Sequence, residues 1–394
     1  MEKILDRLPK YNDSGNFETF DCNNGSFMVR IISTNQAEYN DYLSKLADAG
    51  FVLYDSNCIR DNFFATYIND AIKVHVYFTA HDGIARIIAD KNLTLHNIKP
   101  ELVNKKCDTT LYQFELDYRN IDCGMCYVVQ CPDFSFFIID SAHMNSAEDH
   151  NRLYNFLRKL TPGGQDIEIS GWFFSHAHQD HIFMFMSFLE AGFKDCRIER
   201  LYYNLPALTV PGSESWSDSD KQTMREFNEL IDRRQDIPVV KLHTGQKFFV
   251  RNLEFDVLAT HEDMYPNRLD RYNDSCAVIM MRVDNCKTLF LGDACAEEST
   301  ILVARYGAYL KSDIVQVGHH GYDSGNAGVY YSINAETALY PNKQEAYDGV
   351  KDNHSNRVIS KLSKEIYIAG NGTAALKLPY ASNTAVVSPK EIND

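Results

Sequence analysis

The sequence contains no long hydrophobic run. Nowhere in its 394 residues does an apolar stretch approach the roughly 18 residues that a membrane-spanning helix needs. The segment from Met1 to Pro9 also lacks the apolar core of a secretory signal. These absences argue against a membrane partner and lead us to expect a cytoplasmic protein.

Positive charge is scarce. Lys and Arg number 39 against 54 Asp and Glu, the formal net charge is −15, and no basic block is visible. Duplex nucleic acid and anionic membranes are held largely by clustered Lys and Arg, so neither is expected as an obligatory partner. We expect a small-molecule substrate instead. The 10 cysteines have no framework spacing, which fits reduced thiols better than disulfides.

Metal-ligating residue types are concentrated in one short segment. Directly after the apolar run Gly171 to Phe174 come His176, His178, Asp180 and His181. Imidazole and carboxylate are the usual ligands of a borderline divalent ion such as zinc, and a short turn at a strand end lets alternate side chains converge on one point. One open catalytic ion needs fewer ligands from a single segment. The segment therefore predicts two ions that share a site and are completed from elsewhere in the chain.

The pattern His-x-His-x-Asp-His after an apolar strand resembles the signature of the metallo-β-lactamase-fold hydrolases. Two downstream landmarks of that family are also present. Leu289 to Asp293 resembles its strand ending in Gly-Asp, and Asp313 to Gly321 resembles its late strand ending in His. Upstream, Phe136 to Asp140 matches an apolar strand that ends in Asp. The resemblance covers roughly residues 108–370.

The resemblance implies a set of ligands for two divalent ions. Zinc is the expected metal, with manganese and iron as alternatives. The implied ligands are His176 and His178 for the first ion, Asp180, His181 and one of His319 and His320 for the second, and Asp293 as a bridge between the ions. The sequence does not show which of the two adjacent histidines, His319 or His320, is the ligand.

The third histidine of the family, normally in a Gly-His-Thr-like turn, has no counterpart. The stretch in its place runs from His261 through Asn273-Asp274-Ser275. It is more similar to the Asn-x-Ser-then-strand pattern of the competence-type, DNA-uptake branch, which also carries a doubled His-His-Gly. His261 and Asp274 are therefore weak ligand candidates. His354 is a weak candidate for a residue near the substrate or behind the ligands.

The chain divides into parts with different patterns. Short β-rich runs and one helical repeat over residues 1–90 predict a small α+β domain of unknown role, and the polar stretch 91–108 is expected to be a linker. Residues 109–394 would form the catalytic domain, with a helix over 149–160 and a strand-like run over 247–257. The family resemblance implies an αββα sandwich, in which two sheets lie face to face with helices outside. An insertion over 202–239 lies where the family varies its substrate loops, and Trp216 in it is a candidate lid residue or a surface aromatic.

The lead functional hypothesis is a dinuclear metal-dependent hydrolase that uses a water activated by the ions. A phosphodiester or another small anionic ester is the favoured substrate, because the most similar motifs belong to the branch associated with phosphodiesters. Asp180 could accept a proton from the nucleophile and orient it, and Tyr322 could donate a hydrogen bond to a developing oxyanion or leaving group. Two alternatives stay open: a mononuclear iron oxidoreductase of the persulfide-dioxygenase kind, and a non-catalytic metal-containing protein for binding or sensing.

Overall fold

Three β-sheets organise the protein in a computed structural model that describes residues 2–12, 16–143, 148–323 and 325–391. The first sheet is antiparallel throughout and is formed by residues 17–90. In sheet order its strands are β1 (Phe17–Asp21), β2 (Ser26–Ile31), β6 (Ile84–Asp90), β5 (Lys73–Thr79), β4 (Asn62–Ile68) and β3 (Val52–Ile59). Two helices belong to the same part of the chain, α1 (Glu2–Leu5) and α2 (Gln36–Asp48).

Helix α2 covers one face of the first sheet. Asn35 caps its start, since the side-chain oxygen accepts hydrogen bonds from the backbone N–H groups of Ala37 and Glu38. Tyr39, Tyr42 and Leu46 repeat at helical spacing and are buried against the sheet. The helical repeat seen in the sequence thus gives the outer layer of this unit.

The second sheet contains the strand that precedes the metal motif. In sheet order its strands are β13 (Val239–Lys241), β12 (Leu201–Tyr203), β10 (Ile167–Phe173), β9 (Phe136–Ile139), β8 (Tyr127–Gln130), β7 (Thr110–Gln113), β21 (Ala374–Lys377) and β22 (Val386–Val387), with β11 (Cys196–Ile198) also paired to β10. The helices of this half are α3 (Asp149–Leu160), α4 (Gln179–Ala191) and α5 (Asp218–Arg233). Strands β9, β10, β12 and β13 run parallel, so their carboxyl ends share one edge.

The third sheet carries the later metal-ligand candidates. Its strands, in both chain and sheet order, are β14 (Lys247–Val250), β15 (Leu253–Ala259), β16 (Val278–Val283), β17 (Cys286–Phe290), β18 (Ile314–Gln316), β19 (Thr337–Tyr340) and β20 (Glu365–Ile368). The helices of this half are α6 (Ala296–Tyr306), α7 (Ala327–Ile333), α8 (Gln344–Val350) and α9 (His354–Leu362). Short 3-10 turns lie at Ser213–Ser215, His261–Asp263, Tyr272–Ser275, Gly307–Leu310, Gly318–Gly321 and Ala369–Asn371.

The second and third sheets pack face to face. Aromatic side chains fill the space between them, with the rings of Phe137 and Phe255 4.6 Å apart and those of Tyr202 and Phe248 5.0 Å apart. Helices α4 and α5 pack on the outer face of the second sheet around Trp172. Helices α6, α7 and α9 pack on the outer face of the third sheet. This layer order confirms the αββα sandwich that the family resemblance implied.

The strand expected over residues 247–257 is instead the hairpin of β14 and β15. The chain turns at Arg251, whose φ of 53° is left-handed and ends the first strand. The Arg251 guanidinium is held by four carboxylates, those of Glu101, Asp133, Glu168 and Glu199. These contacts explain how a non-glycine residue is kept in that conformation.

The first sheet packs on the sandwich through its second face. Phe64 and Tyr77 of this sheet share a buried cluster with Leu258, Tyr265 and Tyr306. The stretch predicted to be a linker runs along the sandwich with hydrogen-bonded backbone: Phe249 N donates to Asn97 O at 3.0 Å, and Glu101 N donates to Arg251 O at 3.0 Å. The domain limits 1–90, 91–108 and 109–394 stay a prediction. Within the described residues, no helix combines the length and the apolar character that crossing a bilayer requires.

Candidate metal centre

The metal motif lies where β10 ends and α4 begins. Residues 174–178 form the connecting loop, with His178 as the N-cap residue of α4. Asp180 and His181 therefore lie in the first turn of the helix, while His176 and His178 project from the loop. Because β10 is a buried strand, it fixes the start of this loop in the core.

The remaining ligand candidates come from the third sheet. Asp293 follows β17 and His320 follows β18, and these two strands are parallel, so both residues lie at the same sheet edge. His319 and His320 both have left-handed backbone, with φ of 47° and 53°. Asn342 and Asn356 hold this turn by donating to the carbonyls of His320 and Gly321, each at 2.7 Å. Such strained backbone is typical of functional sites and needs supporting contacts of this kind.

Two groups of side chains bring ligand atoms close enough to hold a metal ion, and they share one residue. Within each group the ligand atoms lie within 4.8 Å of one another. The groups are His176, His178 and Asp293, and Asp180, His181, Asp293 and His320. Asp293 is the residue that the two groups share. Its role as a bridge between two ions stays a prediction.

Distances inside the cluster are short. His320 Nε2 lies 2.9 Å from Asp180 Oδ2, and His181 Nε2 lies 3.2 Å from Asp293 Oδ1. His176 Nε2 lies 2.9 Å from His178 Nδ1. The side chains of His178 and Asp180 are 21% and 15% exposed, whereas those of His176 and His181 are fully buried. The cluster is therefore open to solvent on the side of His178 and Asp180.

Most of the histidines are oriented by a contact to the ring nitrogen that faces away from the cluster. His181 Nδ1 lies 2.7 Å from Asp140 Oδ2, and His320 Nδ1 lies 2.9 Å from the carbonyl of Pro341. Ser175 Oγ lies 3.0 Å from His176 Nδ1. Outer contacts of this kind fix the tautomer and orientation of metal-ligating histidines.

Charges in the cluster are strongly coupled. Burial raises the pKa of Asp293, but His320 and His181 outweigh burial and hold the pKa well below its usual range. Burial lowers the pKa of His181, yet the carboxylates of Asp293, Asp180 and Asp140 raise it to about 10. The Asp293 carboxyl is therefore charged at neutral pH. His181 would give up a proton when a cation binds.

The residues fit a divalent metal ion. The donor set is made of imidazole nitrogens and carboxylate oxygens, which suit zinc, manganese or iron. Asp293 Oδ1 is buried and accepts no hydrogen bond of proper geometry from any residue that the structure describes. The ring nitrogens nearest to this oxygen, His181 Nε2 at 3.2 Å and His320 Nε2 at 3.4 Å, are of a metal-ligating type, and a cation between them and Oδ1 could be bound by all three atoms.

Four sequence candidates lie outside both groups. His319 Nε2 is 4.0 Å from Asp293 Oδ2 and its side chain is 30% exposed, so His320 rather than His319 faces the cluster. His261 is fully buried, and its Nδ1 lies 3.2 Å from the carbonyl of Asn204. Asp274 accepts a hydrogen bond from Arg271 N in a 3-10 turn, and His354 is exposed at the start of α9.

Tyr322 lies at the rim of the cluster. Its ring centroid is 6.4 Å from that of His319. Burial, together with the nearby Cys123, Asp122 and Asp180, raises the pKa of Tyr322 to about 12. The phenol is therefore protonated at neutral pH and can donate a hydrogen bond.

Three further residues around the cluster were not among the predicted ligands. Cys123 Sγ lies 3.5 Å from Asp180 Oδ2, and Asn273 Nδ2 lies 3.4 Å from Asp293 Oδ2. Asn273 belongs to the Asn-x-Ser pattern, which was the available signal for it. Trp216 is buried rather than a surface residue, and its ring lies 4.3 Å from that of Tyr272, which in turn lies 5.0 Å from the ring of His178.

Comparisons with known proteins give distant likenesses of fold. No model of a protein family and no curated protein matches the chain. Among solved structures, the metallo-beta-lactamase fold protein YhfI from Bacillus subtilis is 13% identical with a TM-score of 0.42, over 66% of this chain and 97% of that one. CmlA, a diiron beta-hydroxylase from Streptomyces venezuelae, is 13% identical with a TM-score of 0.40, over 71% of this chain and 55% of CmlA, so this chain spans about half of that protein. Zn²⁺-bound PqqB from Methylobacterium extorquens is 8% identical with a TM-score of 0.40, over 68% of this chain and 100% of that one. At this distance the likenesses assign no activity.

The layers and the cluster agree with the architecture expected from the sequence motifs. An αββα sandwich with ligand candidates at the strand ends of both inner sheets is the architecture implied by the metallo-β-lactamase resemblance. The grouped histidines and aspartates could hold one or two metal ions.

Proposed function

We propose that the protein is a dinuclear metal-dependent hydrolase that acts on a phosphodiester or a similar small anionic ester. One observation carries the proposal: two ligand groups, one of three residues and one of four, share the buried carboxylate of Asp293. A purely structural ion is usually enclosed by four protein ligands, whereas this cluster is open on the side of His178 and Asp180. An open, shared site is what a hydrolytic reaction between two ions requires.

The ligand assignment follows the two groups. His176 and His178 would hold the first ion, Asp180, His181 and His320 the second, and Asp293 both. Divalent ions bound there would activate a water molecule and neutralise charge that develops on the ester.

The residues at the opening support a role in proton transfer and substrate binding. Asp180 is 15% exposed and its pKa is held well below the usual range because His181 and His320 outweigh the effect of burial, so it is a charged acceptor for a proton or hydrogen bond. Tyr322 is a protonated donor on the same rim. A donor beside an acceptor fits a reaction in which the nucleophile loses a proton and the leaving group gains one.

An anionic substrate is favoured by the charge of the site itself. The chain has a net charge of −15, so long-range attraction of an anion is weak, and specificity for one must come from local cations. Two bound divalent ions would make this opening the strongest positive site on the protein. The preference for a phosphodiester over other esters rests on the resemblance to the competence-type branch.

Metal content and hydrolysis, measured together, test the proposal. Protein purified without added metal would be analysed for metal and assayed with a bis-aryl phosphodiester and with an uncharged aryl ester. We expect about two equivalents of zinc or manganese and faster cleavage of the phosphodiester. Asp293→Asn should lower turnover by more than about 100-fold, because losing a shared ligand exceeds the 10- to 100-fold effect typical of outer contacts.

Asp284→Asn is the matched control, because Asp284 is exposed in the turn that precedes β17. This substitution should leave the metal content and the turnover unchanged. One equivalent of iron without hydrolysis would contradict the proposal and favour the persulfide-dioxygenase alternative. Bound metal without turnover on either ester would contradict the predicted substrate class and favour a binding or sensing role.

A further inference from the structure

His178 differs from the other histidines of the metal centre in what lies behind it. The outward nitrogens of His181, His320 and His176 contact Asp140, Pro341 and Ser175, all in the strands of the sandwich or the loops directly after them. For His178, Nδ1 faces the cluster, since it lies 2.9 Å from His176 Nε2. Its Nε2 therefore points outward, and the carboxylate nearest to it is Asp220, with Oδ2 3.8 Å away.

Asp220 comes from the insertion between β12 and β13. It lies in the first turn of α5, where its backbone N–H donates to Ser217 Oγ at 3.0 Å and Ser217 caps the helix. The Ser217 hydroxyl in turn donates to Asp220 Oδ2. Its side chain is 19% exposed. The carboxylate is thus fixed by a capped helix end and lies beside the open side of the cluster.

The rest of the insertion packs around the same histidine. Trp216, two residues before α5 begins, lies against Tyr272, and Tyr272 lies edge-on to the His178 ring at 5.0 Å. The Tyr272 hydroxyl donates to Met224 Sδ of α5 at 2.9 Å. Helix α5 and the Tyr272 turn therefore form one wall of the first ligand group, and a shift of α5 would move His178.

We infer that Asp220 is the positioning residue of His178. The Asp220 carboxylate would accept a hydrogen bond from Nε2–H of His178, and this contact would orient the ring so that its Nδ1 faces the first ion. The inference rests on the proposed function, because it assumes that the first group holds a metal. The separation of 3.8 Å is longer than a hydrogen bond, and Asp220 Oδ2 already accepts from the Ser217 hydroxyl. The inference therefore requires this carboxylate to accept a second hydrogen bond, from His178, when His178 binds the ion. The carboxylate would then complete the set of outward contacts that the other three histidines already have.

This role also bears on the missing third histidine of the family. The first group offers three ligands, two of them from the motif loop. With fewer protein ligands, the affinity for the first ion depends more strongly on the orientation of each. An outer carboxylate makes the imidazole more basic and holds its ring in place, so Asp220 would compensate in part for the missing ligand.

Zinc affinity of the full-length protein tests the inference. Metal-free protein would be titrated with Zn²⁺ against a chromophoric chelator, which resolves a first and a second equivalent. Asp220→Ala should weaken one of the two equivalents by about 10- to 100-fold and leave the other unchanged. Asp220→Asn keeps a neutral acceptor for Nε2–H and should weaken the same equivalent by clearly less.

Asp218→Ala is the matched control, because Asp218 is an exposed acid in the same helical turn and makes the same change in charge. It should bind zinc like the wild type, and circular dichroism should show all variants folded. Two equivalents bound by Asp220→Ala with wild-type affinity would overturn the inference and leave the proposed function intact. An equal loss in Asp220→Asn and Asp220→Ala would also overturn it, since this result indicates direct ligation. Wild-type protein that binds no zinc, manganese or iron would instead refute the proposed function, and the inference with it.

Discussion

Asp140 shows how one residue can organise the centre without belonging to it. It follows β9, and its carboxylate accepts from the backbone N–H and the hydroxyl of Ser175, at 2.7 and 2.6 Å, while contacting His181. Burial raises the pKa of Asp140, even though His181 and Ser175 act in the opposite direction. A buried carboxyl with these partners joins the end of β9 to the motif loop, so the ligand loop is fixed before any ion binds.

The adjacent histidines give a residue-scale prediction. His320→Ala should lose the second ion, because His320 contributes Nε2 to the group with Asp180 and Asp293. His319→Ala should retain two equivalents, because its side chain is 30% exposed and lies outside both groups. Elemental analysis of the two purified variants measures the difference. Loss of metal in the His319 variant, with retention in the His320 variant, would contradict the placement of the two rings.

Much of the candidate centre could be predicted from sequence because its ligands follow apolar strands. His176, His178, Asp180 and His181 stand together after β10, and Asp293 follows β17 in a recognisable Gly-Asp. The choice between His319 and His320 depends on two left-handed residues, which the pattern does not reveal. Asp220 could not be found from sequence, because an acid in the first turn of a surface helix is common for reasons of helix capping alone.

At the scale of elements, the interface between the first sheet and the hairpin of the third sheet contains a buried charge network. His243 lies between Glu262 and Asp90, with its ring nitrogens 2.9 Å from Glu262 Oε2 and 3.1 Å from Asp90 Oδ2. Lys73 and Lys241 contact Asp90 as well, at 3.7 and 3.9 Å. Each charge is paired inside the protein, which is the condition under which buried ions are tolerated.

This network predicts a loss of stability in acid. Burial raises the pKa of Glu262, but His243 outweighs burial and lowers it to about 2, from an ordinary value of 4.5. The pKa of Glu262 is lower in the folded protein than in the unfolded chain. Its contribution to the free energy of unfolding is therefore present above pH 4.5 and is lost as the pH falls from there towards 2. The difference corresponds to roughly 3 kcal/mol at 1.36 kcal/mol per pKa unit.

Glu262→Gln tests the assignment through denaturant unfolding at several pH values. The variant should be less stable than the wild type at pH 7, and the free energy of unfolding should change less between pH 4.5 and 2. If the free energy of unfolding changed with pH equally in the variant and the wild type, Glu262 would not be the source of this pH dependence.

The sequence shows the strands of the first sheet and those of the sandwich, but it does not show how the first sheet packs on the sandwich. Period and turn signals predict the β-rich runs within residues 1–90 and the helix over 149–160, because these depend on local residue order. The contact between the units depends on buried residues far apart in the chain. Asn57 Nδ2 donates to Gly245 O at 3.0 Å and His75 Nε2 lies 2.8 Å from Thr244 O, and neither pairing leaves a signal in one sequence.

Gly245 gives a direct test of this interface. Its φ is +85°, and a Cβ placed there would lie 1.7 Å from Cδ1 of Phe64 in the first sheet. Gly245→Ala should therefore destabilise the protein by roughly 2 to 6 kcal/mol, since overpacking and left-handed strain each cost about 1 to 3 kcal/mol. Gly163→Ala is the control, because a Cβ added at Gly163 would meet no atom within 4 Å and the φ of this residue is not positive. Thermal unfolding should show one transition for the wild type, lowered in the Gly245 variant and unchanged or slightly raised in the control. A Gly245 variant as stable as the control, or separate transitions for the two units, would contradict the close packing of the first sheet on the sandwich.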